Sequence, residues 1–301
     1  MISNKISIVV PVFNAEESLD ELIVSIIDQL NTFCTKYEII LVDDKSNDNS
    51  WQNIEHICEK YNFVLGIKFY ENYGLDAAIT EGLKKSQGDY VFIVTCDLTD
   101  PVNKIKDMYD LISTNKNLDL VAVKYENKHQ LESRITKFFS NIYWKIFSSL
   151  SGINYPVNES VFRVLKKDAV KKFLNYGTKF KHIKIIHTLG LKKDFINAKQ
   201  LPRKYGKSGF SFKKKIEFAV DYLTTYTYKP LTYISTIGMF FSFSTFIISI
   251  FAIIGGLLNI FETSMWSYSL LIFASLFSLL FLNLTIIGIY LVRNIEETKK
   301  I

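Results

Sequence analysis

Apolar positions in the first half of the chain keep two alternating spacings. Short β-branched runs, Ile6 to Val10, Tyr37 to Val42, Val64 to Tyr70 and Tyr90 to Thr95, predict strands, and helical periodicity runs from about Ala15 to Thr32, Asn49 to Tyr61 and Gly74 to Lys85 between them. That rhythm predicts an α/β fold with a mostly parallel sheet and helices on both faces. A helix over Val102 to Asn115 and a strand over Leu118 to Val123 follow. In such sheets ligands bind beyond the carboxyl ends of the strands, and four successive strands end in polar segments: PVFNAEESL from Pro11, VDDKSNDNS from Val42, YENYGLDAA from Tyr70 and TCDLTDP from Thr95. Any one of them is open to reading as a plain turn and helix cap, as Ser46 to Asn49 before Trp51 illustrates. Four on one rim predict a binding site.

The second half is a different material. From Pro230 to Phe261 and from Thr263 to Val292 there is no Asp, Glu, Lys, Arg or His, and each run exceeds the roughly 20 apolar residues needed to cross a bilayer. Two transmembrane helices are expected over 230–292. Lys213, Lys214, Lys215 and Lys229 precede the first run and Arg293, Lys299 and Lys300 follow the second, whereas Asn259 to Ser267 between them holds no Lys or Arg. By the positive-inside rule both termini are then cytoplasmic, in a multi-pass protein of the cytoplasmic membrane with its tail at 293–301. Gly255 and Gly256 permit close helix packing, which opens a homo-oligomer as an expectation. The segments Arg134 to Gly152 and Tyr205 to Leu223 are basic and aromatic, and read either as core-packing helices or as interfacial helices lying on the bilayer.

Charge and cysteine content narrow the picture further. The net charge of +6 is modest and its basic residues crowd between Lys166 and Lys229, which suits a solvated face or anionic headgroups. No stacking or groove-reading motif accompanies it, so nucleic acid is not an expected partner. Three cysteines without metal-ligand spacing suggest reduced thiols. The apolar runs contain no ionisable residue to line a transport path.

Taken in order, VVPVFNAEESL, EIILVDDKSNDNS, ENYGLDAAITEGLKKSQGDYVFIVTCDLTDPV, VFRVLKKDAV, RKYGKSGFSFKKKIEFAVDYLTTYTYKPL and the closing GIYLVRNIEETKK resemble the family 2 glycosyltransferases. The similarity is to the branch containing dolichol-phosphate mannose synthase and the bacterial polyprenyl-phosphate (bactoprenol) glucosyltransferases of the O-antigen type. The resemblance implies a GT-A, Rossmann-like domain. Residues 1–125 would form its nucleotide-sugar half and 126–229 its acceptor or interfacial half, moving a sugar from a UDP- or GDP-linked donor to a polyprenyl phosphate for the cell envelope. It implies that Pro11, Phe13, Asn14 and Glu16 form the first nucleotide loop, that Asp43 and Asp44 bond base and ribose, and that Asn72 and Gly74 lie beside the nucleoside. Asp97 and Asp100 match acids of the metal motif that would hold Mg²⁺ or Mn²⁺, with Thr95 and Thr99 beside them. Arg163 matches a Phe-Arg pair, and Arg203, Lys204 and Ser208 fall in a basic loop that approaches phosphates.

Four departures stand out. Thr95 replaces the first acid of the motif and Thr99 its glutamine, Asn158 stands where the family places its base, and Leu75 replaces a lysine. Neutral hydroxyls compensate a hard cation less than carboxylates do, so metal affinity is expected to fall. A polyprenyl phosphate is already an anion near neutral pH and needs orientation rather than deprotonation. Loss of the base at 158 is therefore compatible with activity, and Arg134, Arg163, Arg203, Lys204 and Lys207 are candidates to neutralise a leaving diphosphate. Asp97, Arg163, Arg203 and Asn158 are thus the expected catalytic positions. The alternative is a catalytically silent nucleotide-binding homologue that supports another membrane enzyme, and a transferase with a different lipid acceptor is a third reading.

Overall fold

The computed structural model describes residues 4–127, 158–175 and 189–205 without a break, together with Ile2, Ile186 and scattered positions elsewhere. Among these, seven strands form one sheet: β1 (Ile6–Val12), β2 (Tyr37–Asp43), β3 (Val64–Lys68), β4 (Tyr90–Ile93), β5 (Leu120–Tyr125), β6 (Glu159–Lys166) and β7 (Lys193–Ala198). Their order is β3-β2-β1-β4-β6-β5-β7. β1 pairs in parallel with β2 and β4, and β2 with β3. Only β6 runs against its neighbours, lying antiparallel between β4 and β5. The halves expected on either side of residue 125 therefore share one sheet.

Strand alternation sends side chains to two cores. Ile6, Ile8, Val10 and Val12 of β1 face α1 (Leu19–Asn31), α2 (Ser50–Lys60) and α4 (Ile105–Thr114), the last entered through a 3-10 turn at Val102–Lys104. Val9 of β1, with Ile40 and Val42 of β2, faces α3 (Leu75–Lys85) and α5 (Lys167–Asn175). This double coverage explains the unbroken apolar runs read in the sequence. α3 lies close against β1 at Gly82, where an added Cβ would sit 2.2 Å from Val9 Cγ1. The first helix begins at Leu19, after a turn in which the amides of Ser18 and Leu19 donate to the Ala15 carbonyl at 3.1 Å, while the amides of Ala15 and Glu16, which a helix start leaves unpaired, bond the side chains of Ser50 and Asp48.

The chain forms two compact units, Met1–Trp144 with Ile153–Gly209 and Lys145–Gly152 with Phe210–Ile301. The two apolar runs over 230–292 and the basic aromatic segments over 134–152 and 205–223 lie almost entirely outside the described residues, as do Arg134, Lys207 and Ser208. No helix among the described residues is long and apolar enough to cross a membrane. Helical positions described near the carboxyl end include Phe273, Leu280, Leu284, Ile287 and Leu291, all exposed.

Candidate active site

β1 sits between β2 and β4, so the connections leaving β1 and β4 diverge at a topological switch point, where an open α/β sheet forms a crevice. All four loops at that rim turn through a left-handed residue: Asn14 (φ 50°), Lys45 (φ 57°), Gly74 (φ 88°) and Leu98 (φ 57°). Side chains other than glycine and asparagine resist this region by about 1–2 kcal/mol. Lys45 and Leu98 are held there by the bonding around them.

That bonding is reciprocal between the first two loops. Asn14 N–H donates to Ser46 Oγ at 2.9 Å, and Asn47 N–H donates to Asn14 Oδ1 at 2.9 Å. Glu16 Oε2 accepts from Asn49 N–H at 2.8 Å. Both loops thus keep their shape without a ligand. Pro11 is buried in β1 opposite Val42, while Phe13 and Asn14 remain exposed on the rim. Asp43 is fully buried, and its carboxylate accepts from Ser46 N–H at 3.3 Å. Asp44 clamps the third loop, its two oxygens accepting from Tyr73 N–H at 2.7 Å and Gly74 N–H at 2.8 Å, while Asn72 Nδ2 reaches the Asp44 carbonyl at 3.0 Å. Burial pushes the Asp44 carboxyl above its ordinary value despite these donors.

The fourth loop contains two acids with different surroundings. Asp100 is buried, and its Oδ2 accepts from Thr95 N–H at 2.8 Å and faces the Thr95 hydroxyl at 2.7 Å. Its Oδ1 accepts from Tyr125 and Ser160, whose hydroxyls also contact one another at 3.0 Å. Burial raises its pKa in spite of these donors. These contacts engage both oxygens of the carboxylate, so Asp100 fastens the loop to β5 and β6 where a metal ligand was expected. Asp97 lies nearer the surface. Its Oδ1 accepts from Thr99 Oγ1 at 2.7 Å and faces Thr95 Oγ1 at 3.0 Å, and its Oδ2 accepts from Arg203 Nη2 at 2.6 Å. The Thr95 hydroxyl has one proton, so it can serve Asp97 or Asp100 but not both.

Arg203 belongs to a basic strap laid across this loop. Leu201 N–H donates to Thr99 O at 3.0 Å, Arg203 meets Asp97, and Lys204 Nζ and Tyr205 Oη reach Glu21 Oε2 at 2.7 and 3.2 Å. The Lys204 bond holds the Glu21 carboxyl below its ordinary range. Between the strap and α1 a cleft of about 660 Å³ opens, lined by Glu21, Ser25, Leu98, Asn103 and Arg203 among others. The sequence reading missed Glu21, Tyr125 and Ser160. Only pairing across the fold reveals them, since Glu21 and Lys204 are 183 positions apart.

Two expected catalytic residues sit elsewhere. Arg163 is fully buried in β6, paired with Glu159 at 3.3 Å and donating to Ser160 O at 2.6 Å, so in this structure it does not open to the rim as a cation for a diphosphate. Its partner along the strand satisfies the charge that burial would otherwise make costly. Asn158 precedes β6, its carbonyl accepts from Tyr125 N–H at 3.0 Å, and its Oδ1 is buried without a hydrogen-bond partner among the described residues.

No group of three or more His, Cys, Asp or Glu among the described residues could hold a metal ion. Asp97 offers one accessible carboxylate, and this fits a hard cation that takes its remaining ligands from a bound phosphate, the usual arrangement for Mg²⁺.

Residues 7–174 match the family model described as Glycosyl transferase family 2. The chain belongs to that family. This glycosyltransferase is 28% identical over 253 residues to an undecaprenyl-phosphate 4-deoxy-4-formamido-L-arabinose transferase of Proteus mirabilis, covering 83% of this chain and 76% of the relative. An uncharacterized glycosyltransferase of Bacillus subtilis, YkcC, is 26% identical over 295 residues, covering 97% and 90%. Among solved structures, glucosyl-3-phosphoglycerate synthase from Mycobacterium tuberculosis, in complex with Mn²⁺, uridine diphosphate and phosphoglyceric acid, superposes with a TM-score of 0.55 at 16% identity, covering 74% of this chain and 77% of that one. This likeness establishes the shared GT-A-like fold of the glycosyltransferase.

Proposed function

We propose that this glycosyltransferase moves a sugar from a UDP- or GDP-linked donor to the phosphate of a polyprenyl phosphate, with inversion, at the cytoplasmic face of the membrane. The observation that carries the reading is the meeting of Asp97 and Arg203 at the mouth of the switch-point crevice, 2.6 Å apart and both partly exposed. An anion and a cation side by side there would suit the departure of a nucleotide diphosphate. The undecaprenyl-phosphate transferases among its relatives support the acceptor class.

The chemistry asks little of a base. A lipid phosphate oxygen attacks the anomeric carbon, the new C–O bond forms as the bond to the diphosphate breaks, and the electron pair leaves with the nucleotide. No proton need move, which suits an amide at Asn158. Asp97 would hold Mg²⁺ or Mn²⁺, which when bound neutralises charge on the departing diphosphate. Arg203 and Lys204 supply further positive charge from the strap. The loops of Asn14 and Asn72, framed by the buried Asp43 and Asp44, would receive the nucleoside, with Phe13 exposed to stack on it.

The apolar runs over 230–292 would anchor the protein in the cytoplasmic membrane with both termini cytoplasmic. The exposed Phe273, Leu280, Leu284, Ile287 and Leu291 recur at spacings of seven, four, three and four, one helical face that suits lipid tails. The test is turnover: detergent-purified protein, undecaprenyl phosphate and a panel of UDP- and GDP-sugars, with the lipid product identified by mass. A lipid-linked sugar lost in Asp97→Ala supports the reading. Nucleotide binding with no transfer from any donor sinks it in favour of a silent binding protein.

A further inference from the structure

The contact between Arg203 and Asp97 has a consequence for the cation itself. Asp97 Oδ2 lies 2.6 Å from Arg203 Nη2, while Asp97 Oδ1 is taken by the Thr99 hydroxyl at 2.7 Å. Asp100, the other acid of the loop, is buried and bonded to Thr95, Tyr125 and Ser160. Of the two acids of this loop Asp97 is the partly exposed one, and the oxygen it keeps clear of the Thr99 hydroxyl is the oxygen that the arginine holds. A cation at that oxygen would sit at about 2.0–2.2 Å from it, within the contact radius of the guanidinium, and the two positive charges cannot share the position.

We propose that Arg203 competes with the divalent cation for Asp97, so that the strap holds the ligand-free protein in a low-affinity state for the metal, and that a nucleoside diphosphate lifts the competition by giving the guanidinium a second anion to bind. This rests on the donor reading above for its second half only.

The strap favours such a switch. Leu201 N–H holds Thr99 O at 3.0 Å, and Lys204 and Tyr205 hold Glu21, so the backbone can stay anchored on both sides while the Arg203 side chain swings from Asp97 to a phosphate. A bidentate guanidinium prefers a phosphate at least as well as a carboxylate. With Thr95 in place of the first acid, the loop brings one carboxylate fewer to hold a cation against the arginine. Metal and donor should therefore bind together, each raising the affinity of the other by the same factor.

The experiment is Mn²⁺ binding to full-length detergent-purified protein without nucleotide, read as loss of the free-ion signal in electron paramagnetic resonance. Parent, Arg203→Ala, Arg203→Lys and Asp97→Ala are compared, with thermal melts to establish folding. Arg203→Ala should bind Mn²⁺ roughly tenfold more tightly than the parent, the scale set by releasing one partly exposed ion pair and one like charge. Arg203→Lys keeps the charge and should stay near the parent, and Asp97→Ala should bind nothing in either background. Adding UDP or GDP should then raise Mn²⁺ affinity by a larger factor in the parent than in Arg203→Ala. Equal Mn²⁺ affinity in folded parent and Arg203→Ala overturns the proposal, as does the absence of binding in both or binding that survives in Asp97→Ala. Failure of sugar transfer in the turnover assay alone would overturn the transferase reading and leave the competition standing.

Discussion

Asp97 and Asp100 stand three positions apart in one motif, and the structure gives them different surroundings that substitution to asparagine should separate. In Asp100→Asn an amide replaces a buried carboxylate that meets Thr95, Tyr125 and Ser160. With the amide nitrogen in place of Oδ2, the Thr95 N–H faces a donor; with it in place of Oδ1, the Tyr125 and Ser160 hydroxyls lose an acceptor. One buried donor left unmade costs about 1–3 kcal/mol, and relief from burying a charge offsets part of that. A net loss of about 2 kcal/mol should lower the melting temperature of a domain of this size by about 4–8 °C. Asp97→Asn removes only a partly exposed ion pair, worth about 0.2–1 kcal/mol, and should melt within about 3 °C of the parent while losing Mn²⁺ binding. Scanning fluorescence melts of the detergent-purified protein give the comparison. The reasoning is refuted if Asp97→Asn melts as low as Asp100→Asn, or if Asp100→Asn melts with the parent.

Other consequences follow from the same geometry. Arg163→Ala should destabilise the fold by about 3–5 kcal/mol, because it removes the buried guanidinium paired with the Glu159 carboxylate; urea unfolding would show this, and any lost activity in that variant would report folding. Gly82→Ala forces a methyl against Val9 and should cost about 1–3 kcal/mol by the same measurement. Lys45→Gly relieves a left-handed residue on an exposed loop and should raise stability by about 0.5–1 kcal/mol. For Glu38, burial would raise the pKa, but Lys5, Ser7 and the Gln87 amide outweigh it and hold the carboxyl below its ordinary 4.5. Its contribution is then present above pH 4.5 and is lost as pH falls through the lower folded value. Glu38→Gln should flatten the acid limb of urea midpoints measured against pH.

The first five strands of the sheet were legible because each carries its own local signal. β1 to β5 and the four rim loops fall where the β-branched runs end, within a few residues. The start of α1 was read a few residues early because the chain leads into it through a turn, with the Ser18 and Leu19 amides on the Ala15 carbonyl, that has the same apolar spacing. β6 and β7 carried no such signal. Arg163 and Glu159 put opposite charges inside β6, and these interrupt the apolar pattern by which the earlier strands were read. For the site, residue identity located Asp97 and Arg203 but not their contact, since 106 positions separate them. Asp100 and Arg163 were both read as groups facing a ligand because chemical type says nothing about burial.

The place of β6 also governs how the chain can be made. β5 finds both its neighbours, β6 and β7, later in the sequence than itself. A ribosome adding about 5–20 residues per second needs roughly two to seven seconds to carry synthesis from Tyr125 to Glu159. Throughout that interval the apolar LVAVKY segment has no strand to pair with and the outer edge of β4 is bare. The nascent chain should be most prone to misassociation there, and a fragment ending at residue 125 should keep that vulnerability permanently.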